Sequence, residues 1–156
     1  MTNKYFPKEP LTENDLHFVC YMIERVARKI HQPNRYVVNA LGYEELYRQL
    51  SLASVRHSEN PAKVENDWIE ENHLVFGNQD ITAVRSDLDV HVPTPSQMGK
   101  VYKRLILSTL KKDEDWVDAL IRVYSSPICE TLDNYNCSAY YEPSSTITRA
   151  YLNGGF

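Results

Sequence analysis

Residues 12–31 read TENDLHFVCYMIERVARKIH, and this stretch predicts the first helix and with it the fold class. Apolar side chains recur three and four residues apart from Leu16 to Ile30, while charged residues such as Glu24 are assigned to the opposite face. This spacing is typical of a helix with one buried face. Thr12 and Asp15 form a variant capping box, because each side chain can bind the backbone N–H of the other. We therefore expect an amphipathic helix over this segment.

A second helix start of the same kind lies late in the chain. Thr94 and Gln97 form another capping box, and Pro95 fits the first helical position because no backbone N–H is needed there. An apolar stripe at helical spacing follows down to Leu110. Other prolines stand before shorter helical patterns, namely Pro33, Pro61, Pro127 and Pro143.

The helical period is interrupted between residues 74 and 92. Gly77 and Asn78 fit a tight turn, so this stretch is either a short β-hairpin or an ordered loop. The whole pattern predicts a mainly all-α fold, a compact bundle of about six to eight helices. We expect one domain over residues 1–156, with a subdivision into an N-terminal helical half (1–75) and a C-terminal helical half (93–156) as the alternative.

Length and composition describe an ordinary folded protein. The chain has 156 residues, 42% of them hydrophobic and 24% charged, which excludes wholesale disorder. A chain of this size buries roughly 70% of its unfolded surface and needs no disulfide or metal to hold a core. The formal net charge of -4 argues against a surface that coats nucleic acid.

The sequence gives no sign of secretion or of a membrane span. Residues 1–10 lack the apolar run of a signal peptide, and no stretch approaches the length of apolar sequence that a bilayer requires. The cysteines Cys20, Cys129 and Cys137 are odd in number and form no Cys-x-x-Cys pair. Buried thiols in a reducing compartment are the simplest interpretation, so we expect a cytoplasmic protein.

Motifs that would identify an enzyme or a cofactor are missing from the sequence. It contains no phosphate-binding glycine loop, no nucleophile elbow and no His-Glu-x-x-His pair, so we expect no cofactor and predict no catalytic residue. Asp87, Asp89 and His91 are candidate metal ligands, because alternate residues of an extended segment share one side. A metal-assisted enzyme built on these three residues is one alternative. A solvated acidic loop is the interpretation we favour.

Tyrosine is the compositional exception, at 11 of 156 residues. A cluster near the end of the chain supplies large rigid rings with polar tips, which suits a binding surface. The alternative is that these rings close the core of the second half. The candidate binding residues are Tyr135, Tyr140, Tyr141, Arg149 and Tyr151.

Basic residues follow the polar side of the helix that Pro95 opens, from Lys100 through Lys103 and Arg104 to Lys111 and Lys112. Such a stripe would suit a nucleic-acid-binding regulator. Most such runs are solvated faces, however, and acidic residues 113–115 follow at once. Residues 33–50 could imitate a helix-turn-helix, but Glu44 and Glu45 would begin its second helix and would repel phosphate. Nucleic acid is therefore a disfavoured partner.

The first helix also carries a family resemblance. The pattern Phe18-Val19-x-Tyr21-x-Ile23-Glu24-x-x-Ala27 resembles the opening of a small bacterial domain family of unknown function, and the likeness continues through Val55-Arg56-His57, Glu65 and Ile69. It covers residues 14–72 and departs from the family at Arg56, where members tend to be apolar. Genes of that family often lie near candidate ADP-ribosylating toxins, which implies an antitoxin-like partner role. The family supplies no catalytic residues to transfer.

These observations predict a non-enzymatic bacterial protein that works by protein–protein interaction, with the terminal tyrosines as its binding surface. The expected partner is another protein of unidentified nature, and a homo-oligomer remains open. The metal-assisted enzyme and the nucleic-acid-binding regulator are the two alternatives.

Overall fold

The two helices whose starts the sequence marks most clearly pack against each other at the centre of the molecule. The computed structural model describes residues 1–87 and 89–156, and over these residues it contains seven α-helices, one short 3₁₀ helix and no strand. The mainly all-α prediction is confirmed, and residues 74–87 and 89–92 form a loop rather than a hairpin. The helices are α1 (Glu13–Ile30), α2 (Asn34–Arg56), α3 (Pro61–Glu71), α4 (Pro95–Ser108), α5 (Trp116–Tyr124), α6 (Ile128–Leu132) and α7 (Ser144–Asn153), with the 3₁₀ helix at Ala139–Tyr141.

Both predicted capping boxes are present. The Thr12 hydroxyl accepts from the Asp15 N–H at 3.3 Å, and the Asp15 carboxylate accepts from the Thr12 N–H at 2.9 Å. Thr94 and Gln97 repeat this exchange at 3.1 and 2.7 Å. Each box satisfies N–H groups that the first turn of a helix would otherwise leave unpaired.

The contact between α1 and α4 is made at a glycine of α4, Gly99. A Cβ atom added at Gly99 would lie 3.0 Å from the Tyr21 backbone nitrogen and 3.2 Å from the His17 ring. The absent side chain therefore lets the two backbones approach. On the same interface the His17 Nε2 atom lies 3.1 Å from the Ser96 carbonyl oxygen, which ties the start of α1 to the start of α4.

Positive backbone φ angles mark a break inside α2 and the segment before α5. Gly42, at φ 75 and ψ 178, divides α2 into two helical pieces. Helix α5 begins at Trp116 and not at the preceding acidic residues, because Asp113 has a left-handed φ of 64. The true cap is Asp115, whose carboxylate accepts from the Asp118 N–H at 2.8 Å.

The loop after α3 returns to the end of α1. His31 ends that helix in the left-handed region, with φ 55. The Gly77 N–H then donates to the Ile30 carbonyl at 2.8 Å, and the Gln79 N–H donates to the His31 carbonyl at 2.9 Å. A Cβ at Gly77 would meet the His31 carbonyl oxygen at 2.6 Å, so this approach requires glycine.

Both halves of the sequence contribute to one hydrophobic cluster, which extends from Leu11 to Ala150. At its edge Arg56 is 8% exposed and forms ion pairs with the partly exposed carboxylates of Asp67 and Glu59. Over the described residues, none of the helices combines the length and the apolar character needed to cross a membrane.

Candidate functional site

Three of the predicted tyrosines form a ladder from the interior to the surface. Tyr135 is 2% exposed, and its hydroxyl donates to the Glu24 carboxylate. The Tyr140 ring meets the Tyr135 ring edge-on, with centroids 5.7 Å apart, and the Tyr141 ring meets Tyr140 in the same way at 6.2 Å. Tyr141, at the outer end, is 79% exposed. The cluster is therefore packed into the core at the Tyr135 end and open to solvent at the Tyr141 end.

The remaining two candidate residues lie on α7. The Tyr151 hydroxyl accepts from Arg122, whose guanidinium carbon lies 5.6 Å from the centre of the Tyr151 ring. Arg122 is itself held by Glu114 at 2.7 Å. Tyr151 is therefore a half-buried support for Arg122, whereas Arg149 is exposed.

A groove runs between α4 and the start of α7, and Tyr140 and Tyr141 form one of its walls. Its volume is about 230 Å³. The α4 side presents a stripe of residues at helical spacing, and the opposite side comes from the 3₁₀ helix and the first turn of α7. We call this surface the α4–α7 groove; it is lined by Gln97, Lys100, Val101, Arg104, Leu105, Tyr140, Tyr141, Glu142, Ser144 and Ile147.

The charge of this groove differs in sign from that of the whole chain. Lys100 and Arg104 are exposed, and neither forms an ion pair with any acidic residue among those described. Glu142 is the acidic lining residue. Pro143 caps α7 without a side-chain hydrogen bond, which leaves the positive end of that helix dipole at the groove. The groove therefore favours an anionic ligand.

A pair of carboxyl groups lies in the interior, beside a different opening. The Asn34 side-chain amide, which is 1% exposed, donates to Glu24 Oε2 at 2.7 Å and to Asp133 Oδ2 at 3.1 Å. Glu24 is also 1% exposed, so its assignment to the polar face of α1 is wrong. The Glu24 carboxylate can be buried because Arg28 and the Tyr135 hydroxyl both contact it and replace its contacts with water.

Asp133 lacks such a counter-charge. The Tyr102 hydroxyl donates to its Oδ1 atom at 2.6 Å, and no basic side chain in the described parts of the chain forms an ion pair with it. Burial, followed by the nearby Glu24 carboxylate, raises the pKa of Asp133 well above its ordinary value. The hydrogen bonds of this carboxyl pair join α1, α2 and the segment after α6.

The opening beside this pair is a cleft of about 970 Å³. It contains Asp133 and Tyr135 on one side and residues of the 79–83 loop on the other. Cys129 also lines it, but burial raises the pKa of this thiol to about 12, and the Sγ atom is engaged with the Val123 carbonyl. An activated nucleophile is therefore not present at that cysteine. The sequence signal that could have indicated burial of Glu24 is its position four residues after Cys20, on the apolar face of α1.

The candidate metal ligands lie on the loop before α4. Asp87 is exposed and paired with Arg85 through contacts of 2.6 and 3.1 Å. Asp89 and His91 are also exposed, and the His91 carbonyl accepts from the Tyr140 hydroxyl at 2.9 Å. Within residues 1–87 and 89–156, no group of three His, Cys, Asp or Glu side chains is arranged to hold a metal ion.

Comparison with known proteins adds no relative, since no family model, curated protein or solved structure matches the chain.

Proposed function

We propose that this protein is a non-enzymatic interaction module that binds an acidic segment of a partner protein in the α4–α7 groove. The observation that carries the proposal is the presence, in one groove, of the 79% exposed Tyr141 and of the cations Lys100 and Arg104, which form no ion pair with the described residues. Exposed aromatic rings and arginine are the side chains that most often dominate protein interfaces.

The chemistry of the groove determines what the partner segment must contain. Carboxylates of the partner would meet Lys100 and Arg104, and an aromatic or aliphatic side chain would cover Val101, Ile147 and Tyr141. Complementary charge of this kind favours specific association and fast binding. The groove is small, so its occupant is a side chain or a short segment rather than a whole domain.

The cellular setting of this proposal follows from the sequence. The resemblance of residues 14–72 to a bacterial family encoded near toxin candidates supports an antitoxin-like partner role in the bacterial cytoplasm. The Asp87, Asp89 and His91 alternative gains no supporting contact among the described residues. The nucleic-acid alternative shares Lys100 and Arg104 with the groove, so the binding test must separate it from a protein partner.

Fluorescence anisotropy with a labelled short peptide of Asp, Glu and Phe tests the proposal. The charge-reversed Lys100→Glu/Arg104→Glu variant should bind this peptide at least about tenfold more weakly than the wild type, because attraction becomes repulsion. The Tyr141→Ala variant should also bind more weakly. The matched control is Lys111→Glu/Lys112→Glu, which makes the same charge change at exposed positions outside the groove.

Two results would contradict the proposal. One is equal loss of affinity in both charge-reversed variants, and the other is equal affinity for an Asn, Gln and Phe peptide. Tighter binding of a single-stranded oligonucleotide, with a steep dependence on salt, would favour the nucleic-acid alternative instead.

A further inference from the structure

Three tyrosine rings and one carboxylate surround a single ammonium group near the start of the chain. The Lys4 Nζ atom lies 4.3 Å from the centroid of the Tyr47 ring and 4.9 Å from that of Tyr43. The Tyr5 ring centroid is 5.3 Å away. The charge is met by Glu44, whose two carboxylate oxygens lie 2.9 and 3.1 Å from Nζ. We call Tyr5, Tyr43, Tyr47 and Glu44 the tyrosine cage.

The walls of the tyrosine cage are held in place by contacts other than those to Lys4. The Tyr5 hydroxyl donates to Glu44 at 2.9 Å, the Tyr43 hydroxyl donates to Asp115, and the Tyr47 hydroxyl donates to a backbone carbonyl at 3.0 Å. The Tyr5 and Tyr47 planes meet at 74°, and those of Tyr43 and Tyr47 meet at 53°. The rings therefore form a preformed box with several faces toward one point.

The segment that carries Lys4 is anchored independently of its side chain. Asn3 is 3% exposed, and its side-chain oxygen accepts from the Tyr5 and Phe6 N–H groups at 3.0 and 3.2 Å. The same oxygen accepts from the Ser51 hydroxyl at 3.0 Å. The Lys4 side chain is 40% exposed and can leave the box without releasing this anchor.

We infer that the tyrosine cage is a binding site for an alkylammonium group, and that Lys4 occupies it as an internal competitor. Aromatic faces attract cations without needing a hydrogen bond, and aromatic boxes of this composition recognise quaternary ammonium groups. A methylated ammonium is more weakly hydrated than the compact lysine ammonium, so it loses less on entering the box. This site shares no residue with the α4–α7 groove and stands apart from the function proposed for that groove.

Titration calorimetry with tetramethylammonium chloride tests the inference. The Lys4→Ala variant should bind this cation at least about tenfold more tightly than the wild type, because a tethered competitor acts at a high effective concentration. The Lys8→Ala variant removes an exposed lysine of the same segment outside the cage and should bind as the wild type does. Circular dichroism confirms that each variant is folded.

Two double variants, each adding one substitution to Lys4→Ala, test whether the cation binds in the tyrosine cage. Glu44→Gln removes the carboxylate charge and Tyr5→Ala removes an exposed wall, and each should weaken binding about tenfold. Absence of tetramethylammonium binding by folded Lys4→Ala protein would overturn the inference. So would binding that neither double variant changes, or equal binding of choline and its uncharged carbon isostere.

The source of the ammonium group is decided by two further probes. A trimethyl-lysine peptide that binds Lys4→Ala protein about tenfold more tightly than choline does would indicate a methylated protein as the ligand. Equal affinities, or tighter binding of choline, would indicate a free small molecule. Either result supports the cage as an alkylammonium site.

Discussion

Asp133 shows how one half-buried carboxyl group can couple this fold to pH. Its hydrogen-bond partners are the uncharged groups of Asn34 and Tyr102, the Glu24 carboxylate is close by, and the opposing effect of the Arg35 charge is outweighed. Burial and the Glu24 charge both favour the protonated form, so the pKa of Asp133 is raised. Ionising this group in the folded protein therefore works against stability.

We expect the Asp133→Asn variant to gain stability relative to the wild type as the pH rises. The pKa of Asp133 is higher in the folded than in the unfolded protein. Its contribution to the free energy of unfolding is therefore fully present below about pH 4, the pKa in the unfolded state, and is lost as the pH rises through the pKa in the folded state. The asparagine side chain at position 133 cannot ionise. The Tyr102 hydroxyl can either donate a hydrogen bond to its oxygen or accept one from its NH₂ group. The difference in free energy of unfolding should grow by about 1–3 kcal/mol in favour of the variant between about pH 5 and pH 9.

Urea unfolding at the two pH values measures this difference. Glu9→Gln, at an exposed carboxylate, provides the control and should keep a constant difference from the wild type. A constant difference for Asp133→Asn as well would show that Asp133 ionises normally in the folded state.

At the scale of elements, the sequence predicts where helices start, but it predicts only part of which side chains they bury. The capping boxes at Thr12 and Thr94 involve residues three apart, so the sequence contains the whole interaction. Burial of Glu24 depends on Tyr135, which lies 111 residues away in sequence. The tyrosine cage also depends on a long-range contact, because Lys4 and Glu44 are 40 residues apart in the sequence. Periodicity cannot identify such long-range partners.

We predict that Gly99→Ala destabilises the protein although alanine favours helices more than glycine does. The gain in helix propensity is about 1 kcal/mol, whereas overpacking against the Tyr21 backbone costs about 1–3 kcal/mol. The net loss should be about 1 kcal/mol, which corresponds to a Tm lower by about 2–4 °C at this chain length. Gly99→Val should cost more, because its second branch adds to the crowding.

Thermal unfolding followed by circular dichroism is the measurement for these variants. Gly155→Ala is the matched control, because a Cβ there meets no atom within 4 Å. A higher Tm for Gly99→Ala than for the wild type would contradict this prediction, because it would mean that α1 and α4 can move apart to admit the methyl group without loss of stability.

At the scale of the whole molecule, the two halves of the sequence share one core. Helix α1 from the first half packs on α4 from the second, and α2 packs on α5. The backbone N–H of Trp116 also approaches the Met1 sulfur at 3.2 Å, so the first residues contact the second half. Isolated halves would each expose the face that the other covers.

We therefore expect both halves to unfold together. Trp68 lies buried in α3 and Trp116 begins α5, so each half carries one fluorescent reporter. Urea unfolding of Trp116→Phe protein, followed by Trp68 fluorescence, should have the same midpoint as unfolding followed by far-ultraviolet circular dichroism. Distinct midpoints would indicate that residues 1–75 and 93–156 are separate folding units.

The return of the 77–79 segment to the end of α1 constrains how the chain can vary. The two carbonyls at Ile30 and His31 obtain their donors from residues that lie beyond two further helices. A deletion that shortened this connection would leave those oxygens without donors in a crowded place, and an insertion would have to fall elsewhere in the loop. Homologues should accordingly keep the glycine at this point while the neighbouring residues change in number and kind.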